Sequence, residues 1–110
     1  MSKLTEMLQY IDEIEDEIVK LEQDLVRIPS VNTGFMPPGN ETPVCEFIKK
    51  WLGESEIDSE ILEASPNRGN IIANIVGESD SLGLLFMSHT DVVPVEDEQK
   101  WTYPPFSAHL

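Results

Sequence analysis

The stretch that most constrains the chain is Leu84-Leu85-Phe86-Met87-Ser88-His89-Thr90-Asp91-Val92-Val93-Pro94. Its first half is uncharged and mostly apolar, the pattern of a strand buried on both faces. A His-x-Asp step follows where such a strand would leave its sheet, and Val-Val-Pro leads the chain away. In open α/β sheets ligands bind beyond that edge. Everything upstream reads as scaffold that delivers this strand.

Residues 3–28 are the longest periodic segment. Leu4, Met7, Ile11, Ile14, Ile18, Leu21, Leu25 and Ile28 recur at spacings of three and four, with acidic residues between them. This predicts one helix with one apolar stripe, ended by Pro29 and Ser30. The helix is expected to pack on the chain's own sheet. A heptad also fits the stripe, but its e and g sites would hold Glu15, Glu17, Glu22 and Asp24, which repel in a parallel homodimer. The remaining alternative is an interaction helix for a basic partner.

Residues 29–42 read as a loop rich in Pro and Gly, including Pro37-Pro38-Gly39-Asn40. Thr42 is the expected N-cap of a second helix, with Pro43 in its first turn. Val44, Phe47, Ile48, Trp51 and Leu52 then fall on one face, and Gly53 marks the stop. Cys45 and Trp51 are expected to pack, although a thiol in a first helical turn can also be reactive. A weak edge strand is expected around Ile57–Leu62. A turn over Ser65–Asn70 and a β-branched strand over Ile71–Val76 come next. This order predicts a layered α/β domain.

Composition narrows the function classes. The 110 residues carry 21 acidic and 7 basic side chains, a formal net charge of -14. Nucleic acids and anionic membranes need clustered Lys and Arg, so neither is an expected partner. The longest apolar run is far short of the ~20 residues needed to span a bilayer. The start of the chain has no apolar secretory core. Cys45 is the single cysteine, so no internal disulfide can form, and a cytoplasmic location is the default expectation.

On extended backbone His89 and Asp91 project to the same side. A neutral imidazole is a common zinc ligand, and a carboxylate beside it can fix its tautomer and raise its basicity. The residues alone leave two readings open. His89 is either a metal ligand or a histidine satisfied by its neighbour.

Wider context bears on that choice. The block Ser88-His89-Thr90-Asp91-Val92-Val93-Pro94, followed by Trp101 and by Pro105-Phe106, resembles the zinc exopeptidase and amidohydrolase family. That family includes aminoacylase, acetylornithine deacetylase, succinyl-diaminopimelate desuccinylase and carboxypeptidase G. Leu25-Val26-Arg27-Ile28-Pro29-Ser30-Val31-Asn32, Glu46-Phe47-Ile48 with Trp51-Leu52, and Asn70-Ile71-Ile72-Ala73 resemble its earlier segments in order. Ser88 stands where many members have Gly, as in the aminoacylase-like branch.

The resemblance implies a metal-dependent hydrolase of amide bonds in small N-acyl amino acids or short peptides. It implies two zinc ions, with cobalt or manganese able to suit similar ligands. His89 would be a metal ligand and Asp91 the catalytic acidic residue that orients it. Trp101, Pro105 and Phe106 would pack. His109 would be a surface or strand residue rather than a ligand, and the acids Glu96, Asp97 and Glu98 would form a solvated loop.

The fold implied is the N-terminal part of a zinc-exopeptidase catalytic domain, with helices packed on a mixed, largely parallel sheet. The family's Gly-Arg-Gly-x-x-Asp segment, its Glu-Glu pair and its lid or dimerisation domain do not occur within residues 1–110. The expectation is therefore a partial catalytic domain, inactive by itself, whose full-length parent is a homodimer. The rival expectation is a non-catalytic interaction protein that uses helix 3–28.

Overall fold

The computed structural model describes residues 1–35, 39–81 and 83–110. They fall into two compact units, Met1–Ile28 with Asp97–Leu110 and, separately, Pro29–Glu96. Pro37 and Pro38 of the expected loop lie outside the described residues.

In the first unit the expected single helix is two. Helix α1 spans Lys3–Glu13 and α2 spans Glu15–Val26. Ser2 caps α1 by accepting the Thr5 N–H at 3.2 Å. Ile14 stands between the helices with φ -103° and ψ 13°, off the helical well. The local charges explain why the break falls there. Asp12, Glu13, Glu15, Asp16 and Glu17 repel at i+3 and i+4 in a continuous helix. Splitting it places Glu15, Asp16 and Glu17 in the first turn of α2, where the helix dipole favours them.

The apolar stripe does not enter a core as expected. No residue of α1 or α2 is buried, and Leu4, Met7 and Leu8 are exposed. Farther along α2, Asp24 accepts from Lys20 and from Arg27, the latter at 3.2 Å. The two cations hold its carboxyl below the usual range. Gln23 Nε2 donates to the Ala108 carbonyl at 2.8 Å, tying the last residues to α2.

The second unit is built on α3, Thr42–Glu54, packed against a hairpin of β1, Ser59–Glu63, and β2, Gly69–Ala73. The strands are antiparallel, with Ile61 opposite Ile71 and Glu63 opposite Gly69. Val44 and Cys45 are buried at the helix–hairpin contact, and Cys45 Sγ donates to the Gly69 carbonyl at 3.3 Å. A glycine is required at 69, because a Cβ there would sit 2.9 Å from Thr42 Oγ1 and 3.1 Å from Thr42 Cα.

Two side-chain expectations are corrected here. The N-cap is Glu41, one residue earlier than expected, because the Thr42 hydroxyl is spent on Glu63 Oε1. Trp51 is exposed rather than core.

The α/β class stands, but the sheet differs from the largely parallel one expected. Among the described residues it is two-stranded and antiparallel, and the parallel pairing is a single bridge between Val31 and Val92. The strand expected over Ile71–Val76 stops at Ala73, leaving Ile75 and Val76 exposed. Leu84–Met87, expected to be buried on both faces, is irregular, and Phe86 is 86% exposed. A doubly buried strand needs a paired neighbour along its edges and layers over its faces. The two described strands pair with each other and supply neither.

Candidate metal-ligand site

The site lies where the irregular segment after Met87 meets the segment around Val31. Asn32 N–H donates to the Val92 carbonyl at 2.8 Å, and Val92 N–H to the Ser30 carbonyl at 3.0 Å. The buried Ser30 adds a hydroxyl hydrogen bond to the Thr90 carbonyl. These bonds fix the backbone on both sides of Asp91.

On that backbone His89 turns onto Asp91. Its Nδ1 lies 2.9 Å from the Asp91 carbonyl oxygen and 3.0 Å from Asp91 Oδ1. A carbonyl and a carboxylate can only accept, so Nδ1 carries a proton, and in the neutral ring Nε2 keeps its lone pair. The His89 side chain is 85% exposed, so that lone pair is open to a ligand. Asp91 Oδ2 accepts from Asn32 Nδ2 at 3.0 Å. The Asn32 hydrogen bond, and after it the imidazole, holds the Asp91 carboxyl below its ordinary range against partial desolvation.

Ser88–Asp91 line a cleft of about 470 Å³ together with Glu41, Ser65, Arg68 and Asn70. Glu41 is buried, and its Oε1 lies 2.7 Å from Arg68 Nε. The turn itself is closed by the Arg68 N–H on the Ser65 carbonyl at 3.0 Å, and the Asn67 carbonyl accepts the Glu41 N–H at 2.8 Å. The cleft thus collects an imidazole, two carboxylates and a guanidinium.

Of the two site residues expected from sequence, His89 and Asp91 are brought together. Asn32, Glu41 and Arg68 were not singled out for the site. The Asn32-x-Gly34 step was a local signal for a fixed amide, whereas nothing near Glu41 or Arg68 announced their pairing across the turn.

The other candidates stay apart from this chemistry. His109 stacks on Tyr103 with ring centroids 3.5 Å apart. Glu96, Asp97 and Glu98 are exposed, and Asp97 pairs with Lys100 at 2.8 Å. Trp101, expected to pack, is exposed, while Pro105 and Phe106 are half-buried. Cys45 is inert in this setting. Burial first, and the nearby Glu41 carboxylate second, push its thiol pKa up.

Zinc can be tested against these residues. The imidazole–carboxylate pair matches the donor arrangement of a ligating histidine, one nitrogen free and the other hydrogen-bonded to a carboxylate. Among the described residues no three His, Cys, Asp or Glu side chains converge as a metal-binding group. The pair therefore fits one ligand of a metal centre and its support.

No protein-family model matches the chain. Over 92 residues it is 37% identical to a Staphylococcus aureus protein named as a probable succinyl-diaminopimelate desuccinylase, covering 84% of this chain and 21% of that protein. A Staphylococcus epidermidis protein of the same name is 34% identical over the same shares. Over 110 residues the chain is 28% identical to an N-formyl-4-amino-5-aminomethyl-2-methylpyrimidine deformylase of Halalkalibacterium halodurans, covering 98% of this chain and 25% of that enzyme. The chain belongs to the amidohydrolase family of succinyl-diaminopimelate desuccinylase that its His-to-Phe block resembles. It spans about a fifth to a quarter of the length of these relatives.

Proposed function

We infer that this chain supplies one wall of the active site of a metal-dependent hydrolase that cleaves amide bonds in small N-acyl amino acids or short peptides. The observation that carries the reading is the His89–Asp91 pair, which leaves Nε2 as the ligating nitrogen. The relatives support the reaction class, because desuccinylation and deformylation both break an N-acyl bond. Zinc is the proposed metal, two ions in the complete site. Bound there, zinc would supply Lewis acidity toward the amide carbonyl and a more acidic water at neutral pH.

The chain's own contribution is binding and orientation. His89 offers Nε2 as one ligand. Asp91 holds the proton on Nδ1 and adds negative charge that strengthens the imidazole as a donor. Glu41 and Arg68 line the same cleft as a paired carboxylate and guanidinium. The sheet that covers Leu84–Met87 belongs, in this reading, to a larger catalytic domain, in a cytoplasmic enzyme that forms a homodimer. Among the described residues no helix is long and apolar enough to cross a membrane.

The test is hydrolysis of N-succinyl and N-formyl amides by the product of the full reading frame that carries this chain. Chelation is expected to abolish turnover and zinc to restore it. His89→Ala is expected to cost at least the ~10–100-fold that loss of an outer-shell partner costs. Chelator-resistant turnover, or an unimpaired His89→Ala protein, would contradict the reading.

A further inference from the structure

Both oxygens of Asp91 are committed. Oδ1 faces His89 Nδ1 at 3.0 Å and Oδ2 accepts from Asn32 Nδ2 at 3.0 Å. The Asn32 amide is itself fixed, because its Oδ1 accepts the Gly34 N–H at 3.0 Å. That bond settles which end of the amide is which, so the NH2 end must face Asp91. The Asn32 backbone cannot drift either, since its N–H is held by the Val92 carbonyl at 2.8 Å. The bonds therefore converge on Asp91: Gly34 N–H donates to Asn32, Asn32 donates to Asp91, and His89 Nδ1–H donates to Asp91 from the other side.

We propose that Asn32 is a positioning residue that sets the tautomer of His89. By holding Asp91 Oδ2 it keeps Oδ1 aimed at Nδ1, which leaves the Nε2 lone pair free for a ligand. An amide suits this place, since its oxygen accepts from Gly34 while its NH2 donates to the carboxylate. A carboxylate at 32 would face Asp91 with like charge and turn it off the imidazole. The backbone carbonyl of Asp91 would then be the remaining acceptor at Nδ1, and it lacks the charge that favours a proton there. The inference concerns the metal-free imidazole and stands apart from the hydrolase reading.

The test is the nitrogen chemical-shift pattern of His89 in the 110-residue chain without metal, at a pH where the ring is neutral. In the unmodified chain the Nδ1–H form should dominate. Asn32→Asp is isosteric and keeps the backbone bonds, yet it should lower the ratio of Nδ1–H to Nε2–H forms by roughly tenfold, the factor expected for losing a charged hydrogen bond. Asn32→Ala, which removes the donor to Asp91 without adding a charge, should lower the ratio in the same direction. The His109 pattern should stay constant throughout.

An unchanged His89 ratio in Asn32→Asp would overturn the proposal, because the Asp91 carbonyl would then suffice. So would an Asn32→Ala ratio equal to that of the unmodified chain while amide dispersion shows the unit still folded. Hydrolysis plays no part in these readouts, so their failure is distinguishable from failure of the enzymatic reading.

Discussion

Replacing Gly69 by Ala tests the packing that places the cleft. The added Cβ would meet Thr42 Oγ1 at 2.9 Å, Thr42 Cα at 3.1 Å and Cys45 Sγ at 3.4 Å. The hydroxyl could rotate away at the loss of its bond to Glu63. The Thr42 Cα cannot, because α3 begins there and the Thr42 N–H points to the Asn67 carbonyl at 3.3 Å. Overpacking of this kind costs about 1–3 kcal/mol. The alanine returns about 0.4–1 kcal/mol by stiffening the unfolded chain. The expected net is a loss of about 1–2 kcal/mol, or roughly 5–30-fold in the folded population. Gly53→Ala is the control, since nothing lies within 4 Å of a Cβ there. That change should stabilise α3 by about 0.5–1 kcal/mol. Urea unfolding read by amide exchange at Ile71 should show the midpoint falling for Gly69→Ala and rising for Gly53→Ala, with similar slopes. Equal or same-sign shifts would refute the close approach of β2 to α3.

Cys45 should react with a thiol reagent only as the second unit unfolds, because its sulfur is buried and its pKa is raised; rapid labelling in native buffer would contradict this. The lowered Asp91 carboxyl contributes stability that is complete above its unfolded pKa of ~3.9 and is lost as pH falls through the lower folded value. Acid titration should therefore destabilise the unmodified chain more than Asp91→Asn, and equal acid sensitivity would oppose that sign. Leu4→Ala on the exposed stripe of α1 should change stability by no more than about 0.5 kcal/mol in urea titration, whereas a larger loss would mean the stripe is covered in solution. With one histidine ligand in the site, the 110-residue polypeptide should bind zinc more weakly than about 1 μM by calorimetry and show no amide hydrolysis. Tighter stoichiometric binding would mean that further ligands converge.

Local chemistry was legible in the sequence and long-range pairing was not. The Pro43 position, the stop near Gly53 and the turn before Gly69 follow from backbone preferences, and all lie close to where they were expected. The pairing of His89 with Asp91 was legible because i and i+2 share a side on extended backbone. The break at Ile14 escaped because apolar spacing reports the stripe and ignores repulsion among the acids between. Leu84–Met87 misled for a different reason. A doubly apolar run states what a strand requires, and burial depends on neighbours the run itself does not encode. Asn32 and Asp91 lie 59 residues apart in sequence, and no local pattern foretells such a bond.

The central claim is that His89 presents Nε2 to a metal while Asp91 holds Nδ1–H. Zinc titration of the chain, followed at the imidazole nitrogens of His89 and His109, tests it most directly. The structure predicts a selective change at His89 Nε2, with the proton retained on Nδ1 and His109 unmoved. Displacement of the Nδ1 proton, or an equal response from both rings, would contradict it.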